Sequence, residues 1–67
     1  MRINLFGTKI YTIQIGHYFC EVRKGKIFYR GYIRDDHHNI IWWTPFGETD
    51  EQVLFTMSDY LADRSLA

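Results

Sequence analysis

From residue 9 the chain alternates apolar and polar positions in two runs, KIYTIQI and YFCEVR, separated by Gly16-His17. Alternation with a period of two places successive side chains on opposite faces, so each run predicts a half-buried β-strand. A glycine at the first of two turn positions suits a type II′ hairpin, where that position needs a positive φ. Pairing outward from the turn sets Ile15 against Tyr18, Ile13 against Cys20 and Tyr11 against Val22. Every pair is apolar or amphipathic. The next break is Lys24-Gly25. Read as a two-residue loop, it sets Val22 against Ile27 and Cys20 against Tyr29, which again gathers the apolar side chains on one face. A type I turn with a bulge at Gly25 would slip the register by one and flip the third strand. The two-residue loop keeps the apolar set together and is preferred.

These turns predict a three-stranded meander over about residues 9–15, 18–23 and 26–34. Its inner face is Tyr11, Ile13, Ile15, Tyr18, Cys20, Val22, Ile27, Tyr29 and Ile33. Asp35-Asp36-His37-His38 reads as a turn leading to a fourth strand over Asn39–Thr44, which Pro45 and Gly47 end. Met1–Phe6 is a candidate fifth strand, although pairing it across Gly7-Thr8 points Arg2 and Asn4 inward. Beyond Gly47 the period changes. Thr49 followed three residues later by Gln52 forms a capping box, with Asp50 and Glu51 in the first turn. Val53, Leu54, Met57, Tyr60 and Leu61 then recur at helical spacing as one apolar stripe, with Glu51, Asp59 and Asp63 opposite. Phe55 falls outside that stripe. The expected fold is therefore α+β. One domain spans residues 1–67, with an antiparallel meander of four to five strands over about 1–44 and a C-terminal amphipathic helix over about 49–64, packed on one sheet face.

Composition agrees with a folding chain: 46% of residues are hydrophobic and 18% aromatic. At 67 residues the core is near the lower size limit, and large rings help because each buries more area than an aliphatic side chain. Self-association into a homodimer is a second way to complete so small a core. Cys20 is the only cysteine, which excludes an intrachain disulfide and points to a reducing compartment. Neither a signal-peptide run nor a membrane-spanning apolar segment is present, so the expected location is cytoplasmic. The net charge is zero, but it is unevenly distributed. Residues 1–34 carry seven cations against Glu21 alone, a charge of +6, and residues 35–67 carry seven acids against Arg64 alone, a charge of −6. Such a split either neutralises itself within the fold or serves a partner.

The face opposite the apolar one is where the chemistry collects. With Tyr18, Cys20, Val22, Ile27 and Tyr29 pointing in, Phe19, Glu21, Arg23, Lys26, Phe28, Arg30, Tyr32 and Arg34 point out. Interleaved cations and aromatics suit an acidic protein partner, with arginine and rings as anchors. They also suit stacked bases and phosphates. The purely structural reading is cross-strand pairing on a solvated face, with Phe28 beside Glu21 and Arg30 stacked beside Phe19. Ile40-Ile41-Trp42-Trp43 is apolar on both faces, and with one helix covering one side, one tryptophan needs either the N-terminal segment or a partner; a partner is the expectation.

Asp35, Asp36, His37 and His38 suggest a metal cluster only at first sight. Adjacent histidines point apart, and His17 and Cys20 fall on opposite faces of an extended chain, so no paired ligand set forms and no metal or other cofactor is expected. Ser58 and Ser65 have no positioned base, and no nucleophile elbow or phosphate loop is present. The expectation is a non-enzyme without a small-molecule substrate: a small binding protein that regulates or inhibits a protein partner by stoichiometric contact. Its size fits a small regulator or inhibitor of the sort found in bacteria and their phages or mobile elements, an analogy of scale alone. The expected contact residues are Phe19, Phe28, Arg30, Tyr32, Arg34 and Trp43, with Phe55 and the acidic helix face as a second surface. A single-stranded nucleic-acid module using the same face is the alternative, and a self-assembling dimer is the third reading.

Overall fold

The first turn forms as its residues dictate. In the computed structural model, which describes residues 5–65, Gly16 has φ 61 while His17 stays at negative φ, as a type II′ turn requires. It joins β1 (Thr8–Ile15) to β2 (Tyr18–Lys24). Ile15 pairs with Tyr18, Ile13 with Cys20 and Tyr11 with Val22, in the expected register. Toward its start β1 carries a bulge: Lys9 pairs with Arg23 and Tyr11 with Val22, leaving Ile10 as the extra residue.

The second turn differs from expectation. It is a four-residue loop, Gly25–Phe28, closed by the Gly25 N–H donating to the Phe28 carbonyl at 2.8 Å, and β3 (Tyr29–Arg34) starts only after it. Cys20 therefore faces Ile33 rather than Tyr29, and Val22 faces Gly31 rather than Ile27. Ile27, expected in the core, is 73% exposed in the loop. The two registers differ by an even number of residues, so both keep Tyr29 and Ile33 inward, and alternation alone cannot separate them. The helix decides between them. A Cβ on Gly31 would stand 2.5 Å from Met57 Cε and 2.7 Å from Val53 Cγ1, so only a glycine opposite Val22 lets the helix approach this closely.

The Asp35–His38 turn is present. The Asp35 carboxylate accepts the backbone N–H groups of His37 and Asn39, each at 2.9 Å, and His38 takes φ 66. Strand β4 (Ile40–Trp43) is shorter than expected, and Ile41 forms a bulge between the Ile33–Trp42 and Arg34–Ile40 pairs. Past Trp43 a side chain completes the pairing: buried Thr44 accepts the Gly31 N–H on Oγ1 at 3.0 Å, and the Thr44 N–H donates to the Gly31 carbonyl. Gly47 then pairs with Tyr29, so Pro45 and Phe46 together stand against the single Arg30.

The sheet is a four-stranded antiparallel meander in the order β1-β2-β3-β4, and the fold is α+β. Residues 1–4 of the candidate fifth strand lie outside the described residues. Helix α1 (Asp50–Asp63) starts at Thr49, whose Oγ1 accepts the Gln52 N–H at 3.1 Å; the Gln52 side chain caps Glu48 N–H instead of returning to Thr49. Val53, Met57 and Leu61 press onto Cys20, Val22 and Ile33, and all six are buried. Each such side chain contributes about 1.5–3 kcal/mol relative to exposure, so this patch is what a small chain depends on. Trp42 lies on the same inner side and stacks on Tyr60 at 4.1 Å between ring centres. The helix sits over β2 and β3, leaving the inner row of β1 beside it instead of beneath it. Among the described residues no helix is long and apolar enough to cross a membrane.

Candidate functional site on the outer sheet face

Glu21 organises the face away from the helix. It is almost fully buried at the centre of β2, and its two carboxylate oxygens take Arg23 Nη1 at 2.7 Å and Arg34 Nε at 3.0 Å. Burial pushes its carboxyl upward, but the hydrogen bonds and charges of the two arginines outweigh this and hold it below the ordinary value of 4.5. Arg34 also donates from Nη1 to the His38 carbonyl at 2.9 Å. Arg23 donates from Nε to the Phe6 carbonyl at 2.6 Å and from Nη2 to the Gly7 carbonyl at 3.0 Å. The N-terminal segment is thereby drawn across the outer face. Phe6 sits against Gly25, where a Cβ would collide with its ring, and the Phe6 N–H donates to the Tyr32 hydroxyl at 3.1 Å.

These contacts sort the expected contact residues into four groups. Tyr32, only 7% exposed, and Arg34, tied to Glu21, hold the face together. Phe19 is half-buried and lies near-parallel to His38, with ring centres 6.2 Å apart, on a cavity of about 320 Å³ that Lys9, Thr12, Glu21 and Arg34 also line. Phe28 and Trp43, both exposed, and half-buried Arg30 stand at the other end of the face. Trp43 pairs with Tyr32 and is 55% exposed, so it is the tryptophan the core does not use; Trp42 is the packed one. Phe55 lies elsewhere, on the helix beside β1.

Arg30 faces neither Phe19 nor an acid, contrary to the expected pairing. It stands opposite Arg23, and Phe28 has left the strand for the loop. Its guanidinium stacks 3.9 Å over the ring of Phe46, and its buried Nε has no hydrogen-bond partner. Phe46 in turn touches Phe6 and Phe28, with ring centres 5.0 and 6.1 Å apart, and keeps half its surface exposed. Sequence reasoning missed Phe46. The signal was a large ring inside a Pro-Phe-Gly turn, where nothing in the local pattern asks for one. The missed role of Glu21 as the anchor was legible as the one acid among seven cations.

The charge halves do not neutralise each other. Among the described residues, Arg23 and Arg34 pair with Glu21 inside the first half, and Arg64 pairs with Asp63 inside the second. One tie between them has an uncharged donor, Tyr11 Oη donating to Asp50 Oδ2 at 2.9 Å; burial first, and this bond second, push the phenol up to about 12. The strand-borne cations Lys9, Arg23, Arg30 and Arg34 thus share the outer sheet face with Glu21, and Asp50, Glu51, Asp59 and Asp63 lie on the helix behind it. Among the described residues no group of three or more His, Cys, Asp or Glu side chains is placed to hold a metal ion. Comparison with protein-family models, with curated proteins and with solved structures finds no match to the chain.

Proposed function

We propose that the protein is a small non-enzymatic binder that acts by stoichiometric contact with a protein partner. The contact surface is the cluster of Phe28, Arg30, Trp43 and Phe46. The observation that carries this reading is Arg30: a guanidinium held 3.9 Å over an exposed ring, with no acid paired to it among the described residues, on the same face as an exposed tryptophan. Arginine and tryptophan dominate binding hot spots because they give large, rigid contact area with directed donors. Stacking on Phe46 fixes the guanidinium before binding, so less side-chain freedom is lost on contact. An acidic or carbonyl-rich partner surface would satisfy the free donors.

The nucleic-acid reading draws on Phe19, His38 and Lys9, but the charge available is small. Glu21 already holds Arg23 and Arg34, which leaves Lys9 and Arg30 as the strand-borne cations of this face without an ion pair among the described residues. Two phosphate contacts give a salt slope of only roughly −1.4 for a single strand, too few to supply useful affinity by charge.

The test is affinity capture on the immobilised protein, followed by titration of the captured partner. Trp43→Ala and Arg30→Ala, each shown folded by circular dichroism, are expected to weaken the complex about 30-fold or more, the range of a hot-spot residue. Binding unchanged in both variants overturns the site. Tight binding of a fluorescent thymidine oligomer that falls steeply with salt would replace the protein reading with the nucleic-acid one.

A further inference from the structure

We propose that the exposed edge of β1 pairs with the same edge of a second copy, forming a two-fold dimer through Tyr11–Ile15. This interface is separate from the outer-face cluster and does not depend on it.

Strand β1 is one edge of the sheet. In a two-residue hairpin the residues flanking the turn exchange both backbone hydrogen bonds, and hydrogen-bonded pairs then alternate along the ladder. Ile15, Ile13 and Tyr11 therefore bond inward to β2, and the N–H and C=O groups of Thr12 and Gln14 point outward. Among the described residues no loop or side chain takes those outward groups. The usual protections of an edge are missing from this stretch: it has no proline and no charge, and the bulge lies before it at Ile10.

The occupant that fits is the strand itself. An antiparallel copy centred on Ile13 sets Tyr11 against Ile15 of the other copy, and Ile13 against Ile13, all on the inner face. On the outer face it sets Thr12 against Gln14, the two residues whose outward groups are free, so four backbone hydrogen bonds can form. Apolar meets apolar and polar meets polar in one register.

The groove beside the strand completes the fit. Ile13 and Ile15 line a cavity of about 350 Å³ with Glu51, Leu54, Phe55 and Ser58. Phe55 is 73% exposed and Ile13 38%, because the helix lies over β2 and β3. In the dimer the two helices stand four strand spacings apart, about 19 Å, against the 8–10 Å of directly packed helices. The remaining gap of about 10 Å is the width of two side chains, and the two Phe55 rings and the Ile13 rows occupy it. The area covered is on the order of 1,000 Å² in total, at the lower limit for a specific interface, so the dimer is weak and depends on concentration.

The experiment is sedimentation equilibrium of the full chain from about 1 µM to about 1 mM, the range in which an interface this small associates. Wild type is expected to rise from the 8.1 kDa chain mass to twice that mass. Thr12→Pro removes an outward donor without touching the β2 ladder, and Phe55→Glu places charge in the gap at a position the monomer leaves exposed. Both are expected to remain monomers at the highest concentration. If Thr12→Pro does not fold, Phe55→Glu decides alone. A wild-type monomer throughout overturns the proposal, as does a dimer that survives the substitutions. Assembly beyond two copies that dissolves in salt overturns it too, pointing to contact between the oppositely charged faces.

Discussion

Gly31 and Glu21 are single residues on which two layers depend. Gly31 lies under the helix, with Met57 and Val53 inside the volume a Cβ would need. Gly31→Ala forces α1 off the sheet or a side chain out of its rotamer, and the expected loss is about 1–3 kcal/mol. Urea unfolding of the variant checks this; a midpoint equal to wild type would mean the close approach is not the reason for the glycine. Glycine interrupts the apolar alternation, so a sequence pattern treats position 31 as blank, and Val22 is then paired with Ile27, four residues before its actual partner. Cys20, by contrast, was legible as an inward residue. Burial pushes its thiol up to about 11, as an apolar pocket does to any thiol.

Helix α1 carries two large rings five residues apart with opposite roles. Tyr60 lies between Trp42 and the Arg64 guanidinium, 4.1 Å from one ring centre and 3.9 Å from the other group. Phe55 projects from the helix next to β1. Tyr60→Ala removes a half-buried ring and its stack, and about 2 kcal/mol should be lost, with a change in the near-ultraviolet tryptophan signal. Phe55→Ala in dilute solution should change stability by less than about 0.5 kcal/mol, as for other surface positions. Thermal melts of the two variants side by side test the assignment of helix faces, and equal losses would refute it. The stripe that placed Tyr60 inward and left Phe55 out was readable at helical spacing. That Trp42, and not Trp43, meets Tyr60 follows from the bulge at Ile41, which no spacing announces.

For the whole molecule the Arg23–Glu21–Arg34 group acts as a fastener. It joins β2 and β3, the backbone of Phe6 and Gly7, and the His38 turn. The lowered Glu21 carboxyl means that the folded state favours its charged form. Its contribution is present above the ordinary value of 4.5 and is lost as pH falls below it toward the folded value. Glu21→Gln should therefore be less stable than wild type at neutral pH, and the difference should shrink as pH falls below about 4.5. Parallel stability curves for the two proteins from pH 7 to pH 3 would show that the carboxylate charge is not what holds these segments. With Asp50, Glu51, Asp59 and Asp63 on the helix and Lys9 and Arg30 on the outer sheet face, the two layers differ in charge, and the two proposed interfaces use this differently: the outer cluster through its arginine, the β1 edge through an uncharged strip.

The alternation at residues 9–23 and the helical stripe after Thr49 by themselves determined the hairpin register, the strand faces, the helix and the α+β class, because those follow from local periodicity and turn stereochemistry. Only the tertiary structure decided which even-numbered register β3 adopts, since that rests on the room Gly31 leaves for the helix. The same is true of the tryptophan left outside, which is set by a bulge, and of the meeting of Arg30 with Phe46, sixteen residues apart, once two loop residues must stand against one strand residue. Periodicity encodes the face a side chain takes; the neighbour it meets there depends on how the layers close.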